Sequence, residues 1–283
     1  MTSPEQNIES ALNAEAAELW QLLRGQHPHV MFNATLNRNL SEDMAVFIAK
    51  SNRTSPEILG FLANDVRFRD SYKLKLAICR NPKTPQKITL ALLKFIKVFD
   101  LADISKDQQI NISIRQKIEH MFDERIPSMP SGVKAALARR ANSNIIVSLM
   151  EKGEAKVISA CLESPVLTEG HIYKLINRPA TKGAVIKMIA ENDKWSLRYA
   201  VKFALIRNYY TPMPRVEKFI RDMKITDLRD LYTDRKLPLS TRPFIYRELL
   251  DRGEDPEITS EEVFQLAGDE DSHIPASEEG NAG

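Results

Sequence analysis

The feature that most constrains this chain is a phrase that returns where its apolar runs end: Asn, a short link, then Thr or Ser followed by Pro. It reads Asn52-Arg53-Thr54-Ser55-Pro56, Asn81-Pro82-Lys83-Thr84-Pro85 and Asn208-Tyr209-Tyr210-Thr211-Pro212, with a degenerate copy at Asn177-Arg178-Pro179-Ala180-Thr181. Asn tolerates the left-handed backbone that ends a helix. Ser55, Thr84 and Thr211 are placed to accept from the orphan N–H groups of the next helix, and Pro loses nothing at a helix start because its missing donor would be unpaired there. A stop and a start two or three residues apart force a tight reversal between helices. Asn52, Asn81, Thr84, Pro85, Asn177, Asn208, Thr211 and Pro212 are therefore expected to shape turns.

The two best copies extend upstream. Residues 72–85 read YKLKLAICRNPKTP and residues 199–212 read YAVKFALIRNYYTP, identical at seven of fourteen positions. Repeated helix–turn–helix units bury their apolar faces by stacking on one another, and the resulting arrays mostly offer surfaces to partners. Asn52, Asn81, Asn111, Asn142, Asn177 and Asn208 stand 29, 30, 31, 35 and 31 positions apart, which suggests an interval near thirty. The turn-like Glu163–Thr168 falls out of step with that interval.

Helix signals fill the chain. Ser3, Pro4 and Gln6 open a first amphipathic helix, with Ile8, Leu12, Ala16, Leu19 and Leu23 on one face and Gly25 as its stop. Residues 25–39 read as irregular. Short helices are expected at 41–50, 55–63, 71–80 and 84–99, the last burying Ile88, Leu92, Phe95 and Phe99. More follow at 108–124, 131–140, 143–152, 154–163, 168–177, 181–191, 195–207, 213–223, 225–233 and 240–252. Few segments alternate strictly enough for strands. The expected fold is all-α, an α-solenoid of stacked helical repeats over residues 31–252. Residues 1–30 form an N-terminal helix and linker, and residues 253–283 an acidic, largely disordered tail with one short helix at Ser260–Leu266.

The phrase Asn81-Pro82-Lys83-Thr84-Pro85, followed by Ile88 and Leu92, and its counterpart Asn208, Thr211 and Pro212 resemble bacterial repeat proteins of the leucine-rich-repeat-variant and HEAT-like kind. The resemblance covers roughly residues 40–250. It implies a right-handed helical solenoid that acts as a binding surface. Two departures limit it. The interval here is longer than in the variant family, and two dispersed cysteines do not supply the iron–sulfur ligands some of its members carry, so no cofactor is expected.

Charge is unevenly spread. Residues 1–30 carry a net −3 and residues 251–283 a net −10, which leaves +15 on the 220 residues between. A basic body favours acidic partners, and an acidic tail can screen it in cis or serve solubility. Trp195, Arg198, Tyr199, Lys202, Arg207, Tyr209 and Tyr210 concentrate aromatic and basic groups around one helix, and Lys75 and Arg80 enrich the related first copy. These residues, Tyr199 aside, are the candidate partner-binding set. They suit an acidic protein surface or, alternatively, nucleic acid; Trp195 and Tyr199 serve equally well as packing between repeats.

Catalysis finds no foothold. His27, His29, His120, His171 and His273 lack companions at metal-ligand spacing, and no nucleophile elbow, phosphate loop or dinucleotide fingerprint occurs. No catalytic residue, metal or enzyme activity is expected. Cys79 and Cys161 lie inside apolar helical runs, as packed thiols of a reducing compartment do. No apolar stretch is long enough for a membrane helix, and the acidic start makes a poor secretory leader, so a cytoplasmic protein is expected.

Overall fold

The computed structural model describes residues 4–254, and every regular element among them is helical. The helices are α1 (Pro4–Asn13), α2 (Ala16–Arg24), α3 (Pro28–Leu36), α4 (Glu42–Lys50), α5 (Pro56–Asn64), α6 (Tyr72–Arg80), α7 (Gln86–Leu92), α8 (Val98–Lys106) and α9 (Ile112–Arg125). They continue with α10 (Ser131–Leu137), α11 (Ser143–Lys152), α12 (Ala155–Leu162), α13 (Glu169–Ile176), α14 (Gly183–Glu191), α15 (Asp193–Ser196) and α16 (Tyr199–Ile206). The last three are α17 (Met213–Arg221), α18 (Ile225–Thr233) and α19 (Arg242–Asp251). Ser3 as a cap, the acidic tail beyond Glu254 and the helix expected at Ser260–Leu266 lie outside the described residues.

Three expected helices are divided differently. The first is two helices: Glu15 is extended (φ −67°, ψ 158°) between α1 and α2. Leu12 and Ala16 are exposed, while Ala11, Ala14, Leu19 and Leu23 are buried, so the single apolar stripe is not realised. Residues 25–39 are not irregular, because Pro28 starts α3 and Val30, Met31 and Ala34 enter the core. One cluster of buried residues runs from Ala11 to Ile78, and α2 and α3 contribute Leu19, Leu23, Val30, Met31 and Ala34 to it. The helix expected at 84–99 ends at Leu92 with a short 3-10 turn, and Ile96 turns extended (φ −85°, ψ 135°). Ile96 takes the buried position while Phe95 is left 51% exposed. Residues 195–207 hold the end of short α15 and then α16.

The helix starts recur at one fixed spacing. Pro4, Ala16, Pro28, Glu42, Pro56, Tyr72, Gln86 and Val98 are each matched by a helix start 127 positions later, from Ser131 to Ile225. Residues 4–125 and 131–252 therefore run in register without insertion, although only 24 of 122 aligned positions are identical.

The turns between helices explain the recurrence. In the first stretch Asn37, Ser51, Asn81 and Asp107 each accept, through their carbonyl, the N–H three positions on; in the second, Ser164, Arg178, Asn208 and Asp234 do the same, at distances of 3.0–3.4 Å. The fourth residue of every such turn, from Leu40 to Leu237, is buried. At Asn81 the side chain adds a second grip. Its Oδ1 accepts from Lys83 N (3.0 Å), and its Nδ2 donates to the carbonyls of Ala49 (2.7 Å) and Ser51 (3.1 Å) in the preceding turn. Asn208 repeats this, accepting from Tyr210 N and donating to Ile176 O (2.8 Å). Asn37 reaches Ala11 O and Ala14 O, both at 3.0 Å.

This geometry corrects several readings of the phrase. Ser51 and Arg178, not Asn52 and Asn177, hold the register of Asn81 and Asn208. Asn81 is extended (φ −84°, ψ 119°), and Gln26 is the sole non-glycine residue with positive φ among the described residues, so these Asn residues do not stop helices by left-handed backbone. Thr84 and Thr211 do not cap the next helix. Their hydroxyls donate back to Ile78 O and Leu205 O, each at 2.6 Å, while Ser55 does cap, accepting from Ile58 N. Asn111 and Asn142 are N-caps of α9 and α11. Asn111 follows the turn residue Asp107, and Asn142 has no part in the series.

Two compact units divide the chain, residues 1–175 and 176–283. In the first unit α3 packs on α1, α2 and α5, α4 on α6, and α8 on α9. In the second unit α14 packs on α15 and α16, α16 on α17, and α18 on α19. Residues such as Ile58, Leu59, Ile186 and Leu205 are essentially fully buried, and each side chain of this size contributes about 1.5–3 kcal/mol.

Asn81→Ala should destabilise the protein by about 1–3 kcal/mol, because two buried carbonyls lose their donor. Asn52→Ala, at an exposed turn tip, should stay within about 0.5 kcal/mol. Urea midpoints of the two variants check the corrected register.

Candidate functional site

Successive turns of the second unit lie side by side and form a groove of about 250 Å³. Arg178 and Thr181 come from one turn, Arg207, Asn208, Tyr209 and Tyr210 from the next, and Lys236 from the third. The Asn208 amide ties the second turn to Ile176 at the base of the first. Arg207 pairs with Asp234 at 2.5 Å, which joins the second turn to the third. The turns that carry the groove are thus tied by a half-buried hydrogen bond and an ion pair, and their tips project outward. Tyr209 is 77% and Tyr210 54% exposed, with their rings edge to face at 5.6 Å and 79°. Tyr210 lies close over Gly183, where a β-carbon would come within 2.7 Å of its ring. Glycine is what lets the tyrosine ring come this close.

Of the eight residues expected to bind a partner, Arg207, Tyr209 and Tyr210 meet in this groove. The others are placed elsewhere. Trp195 is 3% exposed and belongs to the core, in register with buried Phe68, so it offers no surface. Lys202 pairs with Asp222 at 2.6 Å with only 12% of its side chain exposed. Arg198 precedes α16 as its N-cap and is exposed. In the first unit Arg80 bridges Asp100 (3.1 Å) and Asp103 (3.7 Å), and the Lys75 ammonium sits 4.7 Å from the centre of the Phe95 ring. Sequence reading missed Arg178 and Lys236. Their signal was positional, since each stands at or beside the turn residue that corresponds to Asn208.

Tyr199, named for its aromatic surface, has a structural task. Its hydroxyl donates to Asp227 and accepts from Lys224 N (3.1 Å). Tyr72 does the same 127 positions earlier, donating to Asp100 (2.5 Å) and accepting from Lys97 N (3.2 Å). Burial, and then the carboxylate that each phenol donates to, raise both phenol pKa values above the ordinary range. Each Tyr closes the loop that leads into α8 or α18.

Chemistry-bearing side chains are scattered. The His171 ring contacts its own helix cap, Thr168, at 2.9 Å, and His120 pairs with Glu124 along one helix face. Among the described residues no group of three or more His, Cys, Asp or Glu side chains could hold a metal ion. No helix among them is long and apolar enough to cross a membrane. In comparisons with known proteins, no family model, curated protein or solved structure matched the chain.

Cys79 and Cys161 are buried free thiols whose pKa values burial pushes up to about 12. A thiol deprotonates only as pH approaches its pKa, so at pH 8 roughly one in ten thousand is thiolate. Ellman's reagent should find no reactive thiol in the native protein at pH 8, and both after denaturation in guanidinium.

Proposed function

We propose that this chain is a non-enzymatic interaction module that binds an acidic protein partner along the row of turns in its second unit. We read the helices as an α-solenoid of HEAT-like or leucine-rich-repeat-variant kind, built from two tandem copies of a 127-residue pattern. One observation carries the binding reading: neighbouring turns hold Arg178 and Lys236, with Arg207 tied to Asp234, beside two exposed tyrosines in a single groove. Tyrosine and arginine supply much of the energy in protein interfaces: tyrosine buries large area with few rotatable bonds, and the planar arginine fork makes several hydrogen bonds to a carboxylate. Lysine and arginine at the rim select acidic partners and speed encounter. The two buried thiols fit a reducing cytoplasm.

Nucleic acid is the second reading, favoured by the same paired tyrosines, since bases stack on exposed aromatic rings beside arginine. Salt and nuclease separate the two. A protein partner should co-purify with the full chain after nuclease treatment, and Arg178→Glu combined with Tyr209→Ala should weaken its binding by about tenfold or more. Labelled oligonucleotides should not bind even at low salt. Oligonucleotide binding that falls steeply with salt and is lost in the same double variant would give the function to nucleic acid instead.

A further inference from the structure

A second groove, of about 560 Å³, lies in the first unit and involves none of the turn-row residues. Val66, Phe68, Leu74, Lys75, Leu92 and Phe95 line it. Val66 is 82% and Phe95 51% exposed, so two large apolar side chains face water at its mouth. The ammonium groups of Lys75 and Lys94 stand 4.7 Å and 5.0 Å from the centre of the Phe95 ring. Neither lysine is in an ion pair among the described residues. Of the nearby carboxylates, Asp65 is committed to Arg67, whose hydrogen bond holds its pKa below the ordinary value. Arg67 in turn is anchored on the carbonyls of Asn37 and Thr35, both at 2.7 Å. Arg69 and Asp70, one charge of each sign, also line the groove.

The positions 127 residues later show what this site becomes when it is not kept open. Val66 corresponds to Asp193 and Phe95 to Asp222, and Lys75 corresponds to Lys202. There the lysine folds onto the carboxylate at 2.6 Å and is largely buried. One backbone pattern thus carries either a closed ion pair or an open apolar mouth with two lysines that lack carboxylate partners. Exposed Val and Phe gain free energy when covered, and the unneutralised lysines say with what: something acidic.

We infer that this groove docks an acidic peptide segment of a protein partner. The segment places one bulky apolar side chain between Val66 and Phe95, and its flanking carboxylates meet Lys75 and Lys94. This inference does not rest on the turn-row reading, and the two sites can be lost separately.

The test selects a phage-displayed random peptide library against the full chain and measures the enriched sequences as synthetic peptides by fluorescence anisotropy. Expected are peptides with an aromatic or branched aliphatic residue beside Asp or Glu, whose affinity weakens as salt is raised. Phe95→Asp should weaken them about tenfold or more, and Val66→Asp should act in the same direction. Phe95→Asp brings in the side chain that the second stretch already carries at this position, so the fold should accommodate it; unchanged far-UV circular dichroism and melting check this. Arg178→Glu with Tyr209→Ala should leave the affinity unchanged. The inference is overturned if no peptide is enriched, if the enriched peptides lack acidic residues, or if Phe95→Asp leaves binding intact. Loss only in the Arg178/Tyr209 variant would assign the peptides to the turn row and overturn it as well.

Discussion

A side-chain amide that reaches back to a main-chain carbonyl one turn earlier governs the rest of this structure. Helices of eight to ten residues are too short to be stable alone, and a tight reversal leaves the last carbonyls of each helix without partners. Asn81 answers both problems at once. Its Nδ2 satisfies the carbonyls of Ala49 and Ser51, and its Oδ1 fixes the backbone of its own turn through Lys83 N. Asn208 reaches back in the same way to one carbonyl, that of Ile176, and fixes its own turn through Tyr210 N. Because the grip is on main chain, the residues at the turn tips are released from packing. Those tips are where Tyr209 and Lys236 stand.

The all-helical class was legible because cap residues and apolar periodicity agree locally along most of the chain. The turn phrase itself was visible for the same reason. Its register was not, because Asn occurs at turn tips, at hooks and at helix caps alike, and only hydrogen bonds distinguish Asn52, Asn81 and Asn111. Ser51, Asp107, Ser164, Arg178 and Asp234 hold turn positions equivalent to those of Asn37, Asn81 and Asn208 without being Asn, which hid five of the eight and made an interval near thirty look plausible. The true order, 14, 30 and 26 residues, repeats only once the 127-residue spacing is seen. Helix ends at 92 and 196 were missed because apolar periodicity does not mark where the backbone turns extended, at Ile96 and Arg198.

The candidate site was half legible. Tyr209, Tyr210 and Arg207 were readable from aromatic and basic clustering, but the same clustering drew in Trp195 and Lys202. Trp195 fills a core position, and Lys202 is neutralised by Asp222, twenty residues away in sequence. Arg178 and Lys236 needed the neighbouring turns to be placed beside Asn208. Comparison of the two stretches is also what makes the first groove stand out. A fold set by main-chain grips tolerates change at its surface, so Val66 and Phe95 can diverge from Asp193 and Asp222 without disturbing the helices beneath.

The hook itself can be observed directly. Side-chain amide hydrogen exchange, followed by NMR on the uniformly labelled full chain, separates an amide bound to main-chain carbonyls from a solvated one. Asn81 and Asn208 should show strongly slowed exchange of their Nδ2 protons, while Asn52 exchanges at the rate of a free side chain. Exchange at Asn81 as fast as at Asn52 would mean that the turns are not tied to one another in this way, and the account built on them would fail.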